Sequence, residues 1–299
     1  MVVITSNQRE VILDAVRAMY TDVATSPEKE FHFPSGRKAC EFVGYPASQL
    51  DSIPMTAVES FAGVGYPFTA GVIRAGETVL DIGSGSGTDV LIASRLVGRN
   101  GKVIGLDLTE AMRDKLRSNA SVAGAGNVEV LEGNAEEIPL PDASVDRVLL
   151  VHALESSEHP GDMLKECWRV MAAGGRLMVV VPNRRSYWSH LERTPFGHGQ
   201  PFTQTQVTRL LRSHGFTPLQ TERALMFLPF TWRAWLRAAP GWERIGRRWF
   251  STFAGVIVIE AMKQLYGATP VKAVKRRVKF PAPLGIPAPA TRGMQLRLK

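Results

Sequence analysis

Apolar positions in the central part of the chain follow two spacings in turn. Short runs rich in β-branched residues, typical of buried strands, occupy 79–80, 103–104, 128–131, 145–151 and 176–181. Between them the apolar residues recur at helical spacing, as Val90, Leu91, Leu96 and Val97 do after the first run. Strands that alternate with helices in this way predict an α/β fold with a parallel, doubly wound sheet.

The flanking regions add elements to this core. Residues 7–20 carry an apolar stripe at helical spacing and predict an amphipathic helix. Residues 21–70 are loop-rich, and we expect their run ESFAGVGYPF to cap a ligand. A helix and then a strand are predicted over 203–225, and 253–264 predicts a strand that would close the sheet as an antiparallel hairpin partner.

The stretch VLDIGSGSGTDV, residues 79–90, joins a strand to a helix through a glycine-rich turn. Gly83, Gly85 and Gly87 permit positive φ angles and place no Cβ in the way of a ligand. The N-terminus of the following helix offers free backbone N–H groups. Strand, turn and helix together predict a site for a polar or charged ligand group.

Two classes of ligand use such a turn. Dinucleotide sites require G-x-G-x-x-G, but here the third glycine comes one residue early and Thr88 takes its place. Asp81 precedes the first glycine by two residues, and a carboxylate there would repel a pyrophosphate but attract an ammonium group. The turn therefore favours a ligand with a cationic end.

Downstream residues extend this site. Asp107 ends the second predicted strand, twenty residues beyond Gly87, where an acid commonly binds ribose hydroxyls. Thr109 follows as an expected helix N-cap. Met112 would lie against an adenine face or pack in the core, and both alternatives stay open. The side-chain oxygen of Asn134 can accept a hydrogen bond from an adenine amino group.

With these landmarks in order, residues 76–183 resemble the core of the class I S-adenosylmethionine (SAM) methyltransferases, in a methyltransferase-11-like form. The resemblance implies a Rossmann-like seven-stranded sheet with the last strand antiparallel, and SAM as the cofactor. The cofactor-binding residues it implies are Asp81, Gly83, Ser84, Gly85, Gly87, Asp107, Leu108, Met112, Asn134, Ala135 and Val151. It implies no metal site.

We divide the chain into five segments on the basis of these patterns and of the resemblance. They are an N-terminal helix and cap segment (1–70), the SAM-binding core (71–225), a Trp-rich helical insert (226–252), the closing strand with the end of the core (253–270), and a basic, Pro-rich tail (271–299) that we expect to be disordered.

Two finer resemblances point to different substrates. Residues 31–135 are similar to the front half of arsenite methyltransferases, and residues 145–266 to a bacterial methyltransferase group of undefined substrate. Arsenite methylation needs several thiolates, yet Val64 and His152 stand where that family has cysteines, and the chain has two cysteines in all. We therefore expect a small-molecule acceptor other than arsenite.

The expected reaction is direct in-line displacement at the sulfonium methyl carbon, which requires a general base only if the nucleophile carries a proton. His152, after the fourth strand, and His198, on a Gly-rich loop, are the candidates for that base. Two alternatives stay open. The chain could bind SAM without turnover, as a sensor or assembly subunit, or it could be a nicotinamide-dependent oxidoreductase.

Composition fits one large domain with a substantial core, since 44% of the 299 residues are apolar. Two cysteines suit a reducing cytoplasm. The sequence contains no apolar run of eighteen residues and no signal-peptide pattern at its start. We expect a cytoplasmic enzyme of undetermined oligomeric state.

Charge is uneven along the chain, with a net of +16 after residue 183 and −8 before it. Four of the six tryptophans lie in the insert, at Trp232, Trp235, Trp242 and Trp249. They would line an apolar substrate pocket, make a peripheral contact with an anionic membrane, or pack as a core lid. No recognised RNA-binding module accompanies them, so we expect no nucleic-acid partner.

Overall fold

The computed structural model describes residues 6–29, 31, 35–63, 65–70, 73–186, 200–224 and 254–265. This part of the chain forms a seven-stranded sheet in the order β3-β2-β1-β4-β5-β7-β6. The strands are β1 Thr78–Ile82, β2 Lys102–Asp107, β3 Val128–Glu132, β4 Val145–Val151, β5 Met171–Pro182, β6 Phe216–Ala224 and β7 Val256–Lys263.

The first five strands are parallel, and β7 runs antiparallel to both β5 and β6. The predicted α/β class, the seven strands and the antiparallel last strand are therefore confirmed. The structure corrects the start of β5, which begins at Met171 and not at Arg176. Its first residue pairs with Val145 before the register shifts, so backbone pairing extends the strand into a segment with no apolar run.

Helices cover both faces of the sheet. They are α1 Ser6–Thr25, α2 Gly36–Phe42, α3 Ala47–Leu50, α4 Met55–Glu59, α5 Thr88–Val97, α6 Glu110–Val122, α7 Pro160–Val170 and α8 Gln204–Ser213, with a 3₁₀ turn at Pro67–Ala70. One core joins α5 and α6 to the sheet, and the other joins α7 and α8 to it. Consecutive residues of a strand pack into opposite cores: Val79 packs with α5 and α6, and Leu80 packs with α7 and α8.

The segment predicted as loop-rich contains three short helices, α2 to α4, which the structure adds to the prediction. Contacts with the core hold it in place. Lys115 of α6 donates to the carbonyl oxygen of Ala24 (2.9 Å) and to the hydroxyl of Ser60 (2.7 Å), and pairs with Glu59. The hydroxyls of Ser86 and Thr88, in the glycine-rich turn, donate to the carbonyl oxygen of Ala57.

A largely buried ion-pair network ties the strands of the sheet together. Arg147 of β4 pairs with Glu77, just before β1, and lies 3.8 Å from Glu260 of β7. Glu260 also accepts from Arg176 of β5 at 2.6 Å. Because each buried charge has an opposite partner, the network links four segments without leaving an isolated charge.

The insert 226–252, the tail 271–299, His198 and Val64 lie outside the described residues. Predictions for them therefore stay predictions. Among the helices that the structure describes, none is long and apolar enough to cross a membrane.

Candidate functional site

A cleft of about 380 Å³ opens at the carboxyl ends of β1, β2 and β4. This is where ligands bind in open parallel sheets. Ten of the eleven predicted cofactor-binding residues line it: Asp81, Gly83, Ser84, Gly85, Asp107, Leu108, Met112, Asn134, Ala135 and Val151. His152 also lines it, as do Phe61, from the run predicted to cap a ligand, and Tyr20, which sequence reasoning did not assign to the site.

The glycines of the turn divide into two kinds. Gly83 (φ +77°) and Gly85 (φ +53°) have open space where a Cβ would stand, so both leave the cleft free. Gly87, the eleventh predicted residue, does not line the cleft. Its φ is +96° and a Cβ there would overlap the Leu116 side chain, so it allows α6 to pack closely against the turn.

Asp81 is a buried carboxylate without a protein cation. It is 3% exposed, and no described residue donates a hydrogen bond to it or pairs with it. Burial raises its pKa well above the ordinary value, and the nearby carboxylates of Asp89 and Asp107 raise it further. A cationic ligand group would remove this electrostatic cost.

Asp89 was missed by sequence reasoning. It lies in the first turn of α5, lines the same cleft, and accepts a hydrogen bond from the Tyr45 hydroxyl at 2.6 Å. Burial raises its pKa to about 7, although the bond from Tyr45 lowers it. Its position after the glycines was visible in the sequence, but its partner lies 44 residues away, and no local pattern connects the two.

Asp107 faces the cleft and also holds the glycine-rich turn. Its carboxylate accepts from the backbone N–H of Gly85 at 2.9 Å and of Thr109 at 2.8 Å. Burial raises its pKa despite these bonds. Arg113 donates to the carbonyl oxygens of Asp107 and Leu108 and so fixes the loop. Thr109 occupies the N-cap position as predicted, but its side chain makes no capping bond.

The remaining predicted residues form the cleft wall. Met112 is 2% exposed and packs with Val23 and Ala24 of α1 while lining the cleft, so its two predicted roles are compatible. Asn134 accepts from the backbone N–H of Glu136 at 3.1 Å, which shapes the loop after β3. Leu108, Ala135 and Val151 supply apolar surface.

His152 sits directly after β4 in a left-handed backbone conformation, with φ +61°. A non-glycine residue in that region is uncommon and indicates a functional constraint more often than other positions do. Its Nδ1 contacts Oε1 of Glu155, whose side chain is wholly buried. Its backbone N–H donates to Val180 of β5 at 3.1 Å. These contacts hold His152 in the wall of the cleft.

Comparison with known proteins agrees with this geometry. Residues 80–179 match the family described as "Methyltransferase domain". This segment is a class I SAM-dependent methyltransferase domain. It contains the glycine-rich turn, Asp107 and the strands β2 to β4, and it ends within β5.

Curated relatives match only part of this chain. An arsenite methyltransferase from Halobacterium salinarum is 34% identical over 139 residues, which are 46% of this chain and 35% of the relative. The ubiquinone/menaquinone biosynthesis C-methyltransferase UbiE of Escherichia coli O1:K1 / APEC is 38% identical over 112 residues, 36% of this chain and 43% of UbiE. The matched part thus spans less than half of each relative.

Solved structures resemble the chain over more of its length. The arsenic(III) S-adenosylmethionine methyltransferase CrArsM from Chlamydomonas reinhardtii has a TM-score of 0.54 and 25% identity, covering 74% of both chains. The [4+2]-cyclase SpnF has the same TM-score and 19% identity, covering 88% of this chain and 98% of its own. The likeness to SpnF concerns the fold alone.

Proposed function

We propose that this protein transfers a methyl group from SAM to a small-molecule acceptor. The observation that carries the proposal is Asp81, a buried carboxylate with no described partner, beside a glycine-rich turn that leaves open space in a methyltransferase domain. SAM has an ammonium group that fits this carboxylate.

The other cleft residues suit the remaining parts of SAM. Asp107 offers carboxylate oxygens to the ribose hydroxyls, and charge-assisted hydrogen bonds of this kind are among the stronger ones. Met112 and Leu108 offer apolar contacts to a purine ring, and Asn134 offers an amide beside them. The residues present thus fit the cofactor that the domain implies.

When bound, SAM supplies an electrophilic methyl carbon, and the chain's task is to position the acceptor in line with it. Alignment at near-attack distance contributes on the order of 7–11 kcal/mol at best. For an acceptor that carries a proton, His152 is the base we propose, because it lies on the cleft and contacts the buried Glu155. His198 stays a second candidate.

Arsenite is not the acceptor we propose, although arsenic methyltransferases are among the relatives. The chain has two cysteines, Cys40 and Cys167, and both are fully buried. Burial raises the pKa of Cys167 to about 12 and that of Cys40 higher still. Neither is a thiolate near neutral pH, so the two cannot supply a three-thiolate arsenic site.

The test measures SAM binding by calorimetry and then transfer of labelled methyl from SAM to the metabolites of a cell extract. We expect micromolar-range binding and a labelled product, both lost in Asp81→Asn and kept in Asp114→Asn, a surface control on α6. Binding without any labelled product would favour the sensor or assembly alternative. Absence of SAM binding would refute the proposal.

A further inference from the structure

Asp81 is not the only acid beside the glycine-rich turn that lines the cleft without an ion-pair partner among the described residues. Asp81 lies near the end of β1 and Asp89 in the first turn of α5, and the turn with Gly83 and Gly85 connects them. Within the described residues neither forms an ion pair with a lysine, arginine or histidine. Sequence patterns single out the first acid alone, so the second requires its own explanation.

The N-terminal segment holds Asp89 in place. The Tyr45 hydroxyl donates to Oδ1 at 2.6 Å, and Tyr45 itself is 3% exposed. Its ring packs edge-on against Phe61 and Tyr66, with centroids 5.1 and 4.9 Å apart. A half-buried acid that is fixed by a buried tyrosine has little freedom to turn away from the cleft.

SAM carries an ammonium, a carboxylate and a sulfonium, so its net charge is positive, whereas the product S-adenosylhomocysteine lacks the sulfonium charge and is neutral overall. We propose that Asp89 joins Asp81 in binding the ammonium group of SAM, and that the pair makes the site prefer the net positive donor to its neutral product. This inference rests on the proposed function. The burial of Asp81 strengthens the effect, because attraction between charges grows as the dielectric falls.

Protons take part in this binding. The titratable groups that face Asp89 are Cys40, Tyr45, Tyr66 and Asp81, and none is cationic. Without ligand, burial and the absence of a nearby cation among the described residues raise the pKa of both carboxyl groups and so favour their protonated forms. When SAM enters, its positive charge favours the ionised forms, and the proton released passes to solvent.

The experiment measures dissociation constants for SAM, S-adenosylhomocysteine and 5′-methylthioadenosine. The last of these has no ammonium, carboxylate or sulfonium group. In Asp89→Asn, an isosteric change, we expect SAM to bind about tenfold or more weakly. S-adenosylhomocysteine should lose less, and 5′-methylthioadenosine should bind as before. Asp114→Asn, the exposed control, should change none of the three.

Calorimetry of the unaltered protein in two buffers with different ionisation enthalpies supplies a measurement that needs no variant. We expect proton release on SAM binding near pH 7, and its loss in Asp89→Asn. In Tyr45→Phe the pH at which SAM binding is half-maximal should rise, because the carboxylate loses a hydrogen bond that favours its charged form.

The results distinguish a failure of the role proposed for Asp89 from a failure of the proposed methyltransferase function. Equal weakening of SAM and 5′-methylthioadenosine in Asp89→Asn, or SAM binding to the unaltered protein without proton release, would overturn the role of Asp89 and leave the methyltransferase proposal intact. Failure of the unaltered protein to bind either compound would refute the proposed function itself.

Discussion

At Gly83 the place of a Cβ is open, whereas at Gly87 it is filled by Leu116, although both residues have positive φ angles. The same residue type thus serves two purposes within five positions. The first keeps space for a ligand, and the second lets a helix approach the turn. Similar spacing in the sequence does not reveal this difference.

Alanine at each position should separate the two purposes. Gly87→Ala should destabilise the protein by about 2–4 kcal/mol, since it adds both backbone strain and overpacking against Leu116. Gly83→Ala should cost about 1 kcal/mol of stability from strain alone and weaken SAM binding more than folding. Urea denaturation and calorimetry measure the two effects, and equal stability of the two variants would contradict this division.

Asp107→Ala should weaken SAM binding by about 1.5–3 kcal/mol, because the ribose hydroxyls lose a charged acceptor. The same carboxylate accepts from Gly85 and Thr109, so a further loss from loosening of the turn is expected. Asp107→Asn keeps one acceptor oxygen and should bind SAM with intermediate affinity. Unchanged SAM affinity in the alanine variant would remove Asp107 from the site.

At the scale of elements, the N-terminal segment contributes residues to the cleft and is held by hydrogen bonds from α6 and from the glycine-rich turn. Lys115 reaches three groups of that segment, and Ser86 and Thr88 bind Ala57 from the glycine-rich turn. The turn that would hold SAM is therefore also the surface on which the cap rests. Ligand binding and cap attachment share the same residues.

Lys115→Met keeps much of the side chain's length and removes its three hydrogen bonds. Amide hydrogens near the end of α1 should then exchange at least tenfold faster, since charge-assisted bonds contribute about 1.5–3 kcal/mol. Arg117→Met, on the exposed face of α6, is the matched control and should leave that exchange unchanged. Unaltered exchange in the Lys115 variant would show that packing alone holds the cap.

Much of the fold was predictable from the sequence because buried strands and amphipathic helices leave periodic patterns. The positions of strands β1 to β4 along the chain, the helix after Gly87 and the acid at Asp107 are local features of this kind. The short helices α2 to α4 are not, because four to seven residues hold too little periodicity. Contacts such as Tyr45 with Asp89 join distant segments and became visible only in the folded chain.

At the scale of the whole molecule, two kinds of acid affect stability in opposite directions. Ionisation of Asp81 and Asp89 in the cleft destabilises the folded state, whereas ionisation of Glu77 in the ion-pair network stabilises it. The folded-state pKa of Asp81 and Asp89 exceeds the unfolded value of 3.8, so the folded protein binds more protons. These two groups make the free energy of unfolding fall as pH rises from 3.8 to about 7. The pKa of Glu77 is lowered, so its contribution is lost only below its ordinary 4.5.

The melting temperature of the ligand-free protein should therefore fall between pH 5 and pH 8. Asp89→Asn should show a smaller fall, because one of the two raised carboxyl groups is gone. Saturating SAM should also reduce the fall, since its positive charge stabilises the ionised acids. A melting temperature that rises over this range would contradict the raised pKa values.

Among the strands that the structure describes, the last along the chain, β7, is an interior strand of the sheet. During synthesis, β1 to β6 leave the ribosome before β7 does. At that stage β6 has no partner, because within the described sheet it pairs only with β7. Until Val256–Lys263 emerges, the nascent chain exposes the unpaired backbone of β5, which is a template for pairing with other chains. The exposed edge therefore closes only when β7 has been translated and can pair with β5.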